Sequence, residues 1–314
     1  MKKKSLVLFN RHSGKGAVKY RLVQLVDGLN KLGYEVITYS TQKQGDAERL
    51  VMEYAGEIEL VVCAGGDGTV SETVMGIHKS SKEIPMAFIP CGSTNDYAAT
   101  LGVTRNALRL VELIEQESFR SLDIGIFNEK CFDYVAAFGL LTDIAYTTDQ
   151  KLKNMIGYGA YVLEVTKRLL KIPVLDISVE TESGIRFSEG WFYGMVTNST
   201  QVGGLKNITG PKVELDDGLF EVTLVRATRN PIEFIEVLGA IATGADSRFV
   251  ERFKARRITF RSEEEIAWTI DGEPGGNHKE VVIENIQQAI KIAAPKKRDR
   301  LKLISKIGTE TKKD

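Results

Sequence analysis

The apolar run Leu60-Val61-Val62-Cys63-Ala64 stops abruptly at Gly65-Gly66-Asp67-Gly68-Thr69, and a segment with helical spacing follows at once. A buried strand that breaks into glycines and restarts as a helix is the signature of a strand–loop–helix turn in an α/β sheet. Glycines let phosphate oxygens come close to backbone N–H groups, and the helix N-terminus behind the loop favours anions. The aspartate at the centre of the loop adds a restriction, because a carboxylate repels phosphate unless a cation lies between them. A metal-complexed nucleotide satisfies both conditions. The alternative is an ordinary tight turn in which Asp67 caps the following helix.

The surrounding pattern repeats the same unit. Strand-like Ser5–Asn10, Tyr34–Thr41, Leu60–Ala64 and Met86–Cys91 alternate with helical Ala17–Leu32, Asp46–Tyr54, Val70–Lys79, Asn95–Leu101 and Asn106–Gln116. Such alternation predicts a doubly wound parallel sheet, with ligands beyond the carboxyl ends of its strands. Those ends carry Asn10–Gly16, Thr41–Gly45, Gly65–Thr69 and Gly92–Asp96, all rich in Gly, Ser, Thr or Asn. After about Phe119 short strands dominate: Ser121–Asn128, Lys130–Phe138, Leu175–Glu182, Ile185–Thr197, Gly218–Ala227, Arg256–Arg261, Ile266–Ile270 and Glu280–Ile283, with a helix at Pro231–Ala242. Turn clusters between them predict an antiparallel sandwich or roll. The expectation is therefore an α/β nucleotide-binding domain over residues 1–120, rejoined by the tail 293–314, and a β-rich domain over 121–292.

Composition narrows the partners. Lys+Arg and Asp+Glu number 42 each in 314 residues, so no basic field suited to nucleic acid exists. Cys63, Cys91 and Cys131 are too scattered for a disulfide framework or zinc site and fit a reducing cytoplasm. The apolar run after Met1-Lys2-Lys3-Lys4 ends at Phe9, too early for a signal peptide, and no run approaches a membrane span. A soluble, cytoplasmic protein is expected. The helical stretch Leu152–Leu170 with its flanks mixes Lys151, Lys153, Lys167, Arg168 and Lys171 with apolar residues; it reads as a core helix with a basic edge, or as a face for anionic lipid headgroups. His12, His78 and His278 show no metal spacing.

The motifs, in order, resemble the soluble bacterial diacylglycerol kinases and related lipid kinases, which share a nucleotide-binding fold with NAD kinases and phosphofructokinases. The resemblance runs from Ser5 to about Pro295 and rests on Asn10-Arg11-His12-Ser13-Gly14, Thr41–Ala47, Gly65–Thr69 with Glu72, Gly92-Ser93-Thr94-Asn95-Asp96, Leu215-Asp216-Asp217-Gly218 and Asp271-Gly272-Glu273. Arg11 stands where the family usually has proline, which removes a fixed φ and adds a cation. Ser93 replaces threonine and keeps the hydroxyl, and Ser71 replaces a frequent asparagine.

The resemblance implies an ATP-dependent, Mg²⁺-requiring kinase that phosphorylates a lipid hydroxyl, with diacylglycerol as the first acceptor to consider. Its nucleotide cradle would comprise Asn10, Arg11, His12, Ser13, Gly14, Lys15, Thr41, Gly65, Gly66, Asp67, Gly68, Thr69, Glu72, Ser93 and Asn95. Asp67 would hold the nucleotide-bound Mg²⁺; Asn95 and Asp96 have helix capping as an alternative role. Asp271 is expected to be the base, its pKa raised by partial burial in a cleft between the domains, with Glu273 beside it on the same side of an extended segment. The alternative is a type I′-like Asp-Gly turn with solvated acids. A structural Mg²⁺ is implied at Asp217 with the carbonyls of Glu214 and Leu219, where the residues alone read as a hairpin turn. Peripheral contact with the inner membrane face and a homodimer are further implications. Other lipid acceptors, an NAD kinase and a non-catalytic lipid or nucleotide sensor are the alternatives.

Overall fold

The computed structural model describes residues 2–10, 18–92, 95–139, 174–202, 205–206, 213–228 and 230–296. The chain divides into two units, Met1–Asp123 with Gln288–Asp314, and Ile124–Gln287.

In the first unit the order is β1 (Lys3–Phe9), α1 (Val18–Lys31), β2 (Tyr34–Ser40), α2 (Asp46–Tyr54), β3 (Leu60–Gly65), α3 (Asp67–Ser80), β4 (Met86–Pro90), α4 (Asp96–Leu101) and α5 (Ala107–Glu115). The strands lie side by side as β4-β3-β1-β2, all parallel. Every residue of β3 and β4 is buried, as a sheet covered on both faces requires. Val7, Leu60, Val62, Ala64, Ala87 and Ile89 form one face and pack with Leu25 and Leu29 of α1 and Leu110 and Leu113 of α5. On the helical side, α3 meets α2 so closely at Gly76 that a Cβ there would stand 2.8 Å from the Glu48 carbonyl oxygen.

The second unit begins within β5 (Phe119–Phe127) and continues through β6 (Lys130–Phe132), β7 (Val135–Gly139), β8 (Leu175–Thr181), β9 (Arg186–Thr197), the short pair β10 (Gln201–Val202) and β11 (Leu205–Lys206), β12 (Phe220–Arg226), α6 (Pro231–Thr243), β13 (Val250–Ala255), β14 (Arg257–Ile270) and β15 (Glu273–Ala293). Its strands run β13-β12-β9-β7-β14-β15, antiparallel throughout, and β8 pairs with both β9 and β14. Trp268 lies at the centre of an aromatic core, 4.8 Å from the Phe138 ring and 5.1 Å from those of Phe127 and Phe260. The molecule is thus mixed α/β with a β-rich C-terminal region. No helix among the described residues is long and apolar enough to cross a membrane.

Several boundaries differ from expectation for identifiable reasons. Lys130–Phe138 is two strands, because the backbone at Asp133 and Tyr134 leaves the ladder and donates to a side chain instead. Arg256–Arg261 and Ile266–Ile270 belong to one strand, β14, whose pairing shifts register between them. The expected strand Glu280–Ile283 is the middle of β15, which continues into the first unit, where Ile292 pairs with Met86. Ala294 is then fastened to Ser118 by bonds of 3.0 and 2.9 Å. The mixed polar and apolar pattern of Val250–Ala255 gave no strand signal, yet it forms β13. The basic helical stretch Leu152–Leu170 lies outside the described residues.

Candidate active site

Parallel register brings four loops to one edge of the first unit. Phe9 lies opposite both Ser40 and Ala64, and Gly65 lies opposite Pro90, so β2, β1, β3 and β4 end together. The chain then steps sideways along that edge: Asn10 N–H donates to Ala64 at 3.0 Å, Thr41 N–H to Phe9 at 3.0 Å and Cys91 N–H to Gly65 at 2.7 Å. Asn10, Thr41, Gly65, Gly66, Asp67, Gly68, Thr69 and Asn95 are thereby gathered at the strand ends. Arg11, His12, Ser13, Gly14, Lys15 and Ser93 lie outside the described residues.

Gly66, with no side chain to offer, occupies the N-cap of α3, and Asp67 is the first helical residue. The capping alternative for Asp67 is therefore set aside. The helical ladder starts with Thr69 and Val70 N–H bonded to the Gly66 carbonyl at 3.0 and 3.2 Å. The N–H groups of Asp67 and Gly68 lie ahead of it, where a helix offers donors to an anion. The glycines have separate duties. A Cβ on Gly65 would strike the Thr69 side chain at 2.6 Å, whereas one on Gly68 would meet nothing within 4 Å. Gly92 brings the neighbouring loop close: its Cβ would stand 3.1 Å from Asn95 Oδ1, 3.2 Å from Gly66 Cα and 3.6 Å from Asp67 Oδ2.

The polar side chains around this edge mostly shape backbone. Asn95 sits at the N-cap of α4 in the left-handed region, φ 54°, but does not cap it. Its amide reaches back to Gly92, accepting from the N–H at 2.8 Å and donating to the carbonyl at 2.7 Å. Glu72 on α3 accepts from Gly45 N–H at 2.8 Å and Ala47 N–H at 3.2 Å, so it caps α2 from a different helix. Asp46, within the Thr41–Ala47 motif, accepts from Gln42 and Lys43 N–H at 2.8 and 3.1 Å. The Gln42 bond in particular holds its carboxyl below the usual range. The buried Cys91 thiol is pushed up by burial.

In the second unit, β14 and β15 join through Asp271 and Gly272, with φ of 50° and 84°. Positive φ at both central residues is the two-residue I′-type hairpin turn. The turn alternative was thus right about geometry and about the solvation of Glu273, and wrong about that of Asp271. Asp271 is buried, 7% exposed, and its carboxylate accepts from Asp133 N–H at 2.8 Å, Val135 N–H at 3.0 Å and Tyr134 N–H at 3.1 Å. Its own N–H donates to the Val135 carbonyl at 2.8 Å. Glu273 is exposed at the first position of β15. The two acids do not alternate along one extended strand, because Asp271 is in the turn; the period-two expectation fails there.

The implied metal turn is at Leu215–Leu219. Asp217 Oδ1 accepts from Leu219 N–H at 3.1 Å, and Oδ2 lies 2.8 Å from the Lys254 ammonium. Lys254 also lies 3.1 Å from Glu221 Oε1. Burial pushes the Glu221 carboxyl up to about 7, Lys254 works against the rise, and Asp217 adds to it. Burial opposes the charge on Lys254, but Asp217 and Glu221 outweigh it and raise that pKa. One carboxylate plus the carbonyls of Glu214 and Leu219 is an oxygen-only donor set, which suits Mg²⁺ once the lysine is accommodated. Among the described residues no group of three or more His, Cys, Asp or Glu side chains could hold a metal.

Comparison with known proteins agrees with this architecture. Residues 4–127 match the diacylglycerol kinase catalytic domain, and residues 141–294 match the YegS C-terminal NAD kinase beta sandwich-like domain. The chain is 30% identical over 300 residues to the diacylglycerol kinase of Bacillus subtilis (strain 168), covering 94% of this chain and 98% of that one. The chain belongs to the diacylglycerol kinase family. A second member of that family, from Staphylococcus carnosus (strain TM300), is 29% identical over 94% of this chain and 96% of its own. A crystal structure of a diacylglycerol kinase from Bacillus anthracis str. Sterne shares the fold, with TM-score 0.72 and 24% identity over 94% of this chain and 97% of that one.

Within this diacylglycerol kinase family member, two groups escaped the sequence reading. Glu221 and Lys254 face each other across β12 and β13. No sequence signal joins them, since β13 was itself unread. The break at Asp133-Tyr134 did have a signal, an aspartate inside an otherwise apolar strand pattern.

Proposed function

We propose that this protein is an ATP-dependent lipid kinase that transfers the γ-phosphoryl of ATP to the free hydroxyl of diacylglycerol, giving phosphatidic acid. The observation that carries the nucleotide half is the row of aligned strand ends, where α3 opens behind Gly66 with Asp67 at its first position. Asn10, Thr41 and the Gly65–Thr69 backbone bind phosphate. Glu72, Asp46 and Asn95 are positioning residues that keep those loops in shape. Asp67 would hold the Mg²⁺ that accompanies ATP, and that ion supplies charge neutralisation on the phosphates.

Phosphoryl transfer also needs an acceptor for the hydroxyl proton. The acceptor oxygen forms a bond to the γ-phosphorus, the bond to the β-phosphate oxygen breaks, and ADP departs. Glu273 takes the proton, because its carboxylate is exposed, whereas the Asp271 carboxylate is engaged by backbone donors. Asp271 fixes the turn that presents Glu273. These roles exchange those expected from sequence. The protein meets this acceptor at the membrane surface. The test is ATP consumption and product analysis with diacylglycerol micelles, other lipid alcohols, NAD and no acceptor. Phosphorylation of diacylglycerol above the other lipids supports the assignment; transfer to NAD alone, or to nothing, ends it.

A further inference from the structure

We propose that Lys254 is an internal competitor for the cation at the Asp217 turn, and that a divalent ion gains Asp217 as the lysine ammonium passes to Glu221. This inference rests on reading that turn as a magnesium site. The geometry sets the lysine directly on the carboxylate the ion would need. Asp217 Oδ1 is engaged by Leu219 N–H, and Oδ2 is 2.8 Å from the Lys254 nitrogen. The turn is braced against moving away: Gly218 has φ 79°, the Gln287 side chain packs 3.1 Å from where its Cβ would be, and Gln287 Nε2 donates to the Asp216 carbonyl at 3.3 Å.

An ammonium and a divalent ion on the same carboxylate repel each other strongly at such separations. The mobile partner is the lysine, a charge on a four-carbon stem, while the ion's other donors are backbone carbonyls. A destination for it already exists. Glu221 lies directly across the strand pair from Lys254 and is 5% exposed, with Oε1 3.1 Å from the ammonium. A buried carboxylate needs a cation nearby. Glu221 therefore keeps the lysine inside the unit when Asp217 is taken. With Glu221 ionised, the group holds two carboxylates and one ammonium before exchange; afterwards each carboxylate has a cation of its own.

The experiment is calorimetric titration of the nucleotide-free full chain with MgCl₂. Lys254→Gln is expected to tighten Mg²⁺ binding by about tenfold or more, since a competing charge is removed. Glu221→Gln is expected to weaken binding in the native background and to have little effect when combined with Lys254→Gln, a coupling a double-mutant cycle measures. Unchanged or weaker binding in Lys254→Gln overturns the inference, as does additivity of the two substitutions. If Asp217→Asn abolishes binding while Lys254→Gln fails to tighten it, the magnesium site stands and only the competition is lost. If Asp217→Asn binds as the native chain does, the site reading falls as well. A measurement without substitution guards against misfolding: after reductive ¹³C-methylation, which preserves lysine charge, the Lys254 methyl signal should move on adding Mg²⁺, and an unmoved signal overturns the inference.

Discussion

The two units use the same partners, carboxylates and backbone N–H groups, in opposite ways. At the strand ends of the first unit, the side chains of Glu72, Asp46 and Asn95 hold loop backbone in place. In the second unit the backbone of Asp133–Val135 holds a carboxylate, Asp271, and fixes the turn that carries Glu273. One arrangement uses side chains to present main chain; the other uses main chain to present a side chain. The first spreads its contacts over several polar groups. The second concentrates its contacts on one carboxylate.

That contrast can be broken most directly in the second unit. Asp271→Ala leaves three buried N–H groups without an acceptor and should cost about 3–5 kcal/mol of stability, read from denaturant unfolding. Glu273→Gln should leave stability within about 0.5 kcal/mol and reduce turnover by roughly 10²–10⁴. Should Glu273→Gln turn over normally while a folded Asp271→Asn does not, the proposed roles must be exchanged again.

The units should also answer pH with opposite signs. Glu221 has its carboxyl raised, chiefly by burial, to about 7. Its contribution to stability is thus present below the unfolded value and lost as pH climbs to about 7, a loss on the order of 3 kcal/mol. Glu221→Gln, followed by unfolding in magnesium-free buffer, should flatten that interval. Asp46 is lowered, mainly by the Gln42 N–H bond, so its contribution is present above the unfolded value and disappears toward acid. Asp46→Asn should remove part of the acid-side loss while leaving the neutral interval unchanged. Coincident profiles for the two variants would contradict the contrast.

The smallest effect sharpens the comparison in the first unit. Glu72→Ala releases the N–H groups of Gly45 and Ala47, which lie at a partly solvated helix start. A stability loss of about 1 kcal/mol is expected, as for removal of a helix cap. The KM for ATP should rise with kcat nearly unchanged, because the carboxylate acts through the loop. A fall in kcat at unchanged KM would make Glu72 part of the chemistry.

Much of the first unit was legible because its signals are local. A continuous apolar run such as Leu60–Ala64 is a buried parallel strand, and glycines at its end leave few options for the chain that follows. The second unit was legible in kind but not in detail. Its strand Val250–Ala255 mixes charge and bulk with no period of two and is held by pairing with β12, and β14 conceals a register shift within one strand. Antiparallel partners far apart in sequence leave no mark on either segment alone.

The sequence by itself determined the alternation of elements, the glycine–aspartate loop and the positions of the acidic turns, because periodicity and backbone freedom are properties of short segments. Tertiary structure alone decided what each acid does. Asp271 became a buried anchor, Glu72 a cap for another helix and Asp217 the partner of Lys254, since each depends on which N–H or ammonium the fold brings within about 3 Å. Hydrogen bonds and ion pairs are short-ranged, so the identity of a carboxylate is written in the chain, whereas its role is set by neighbours that only folding supplies.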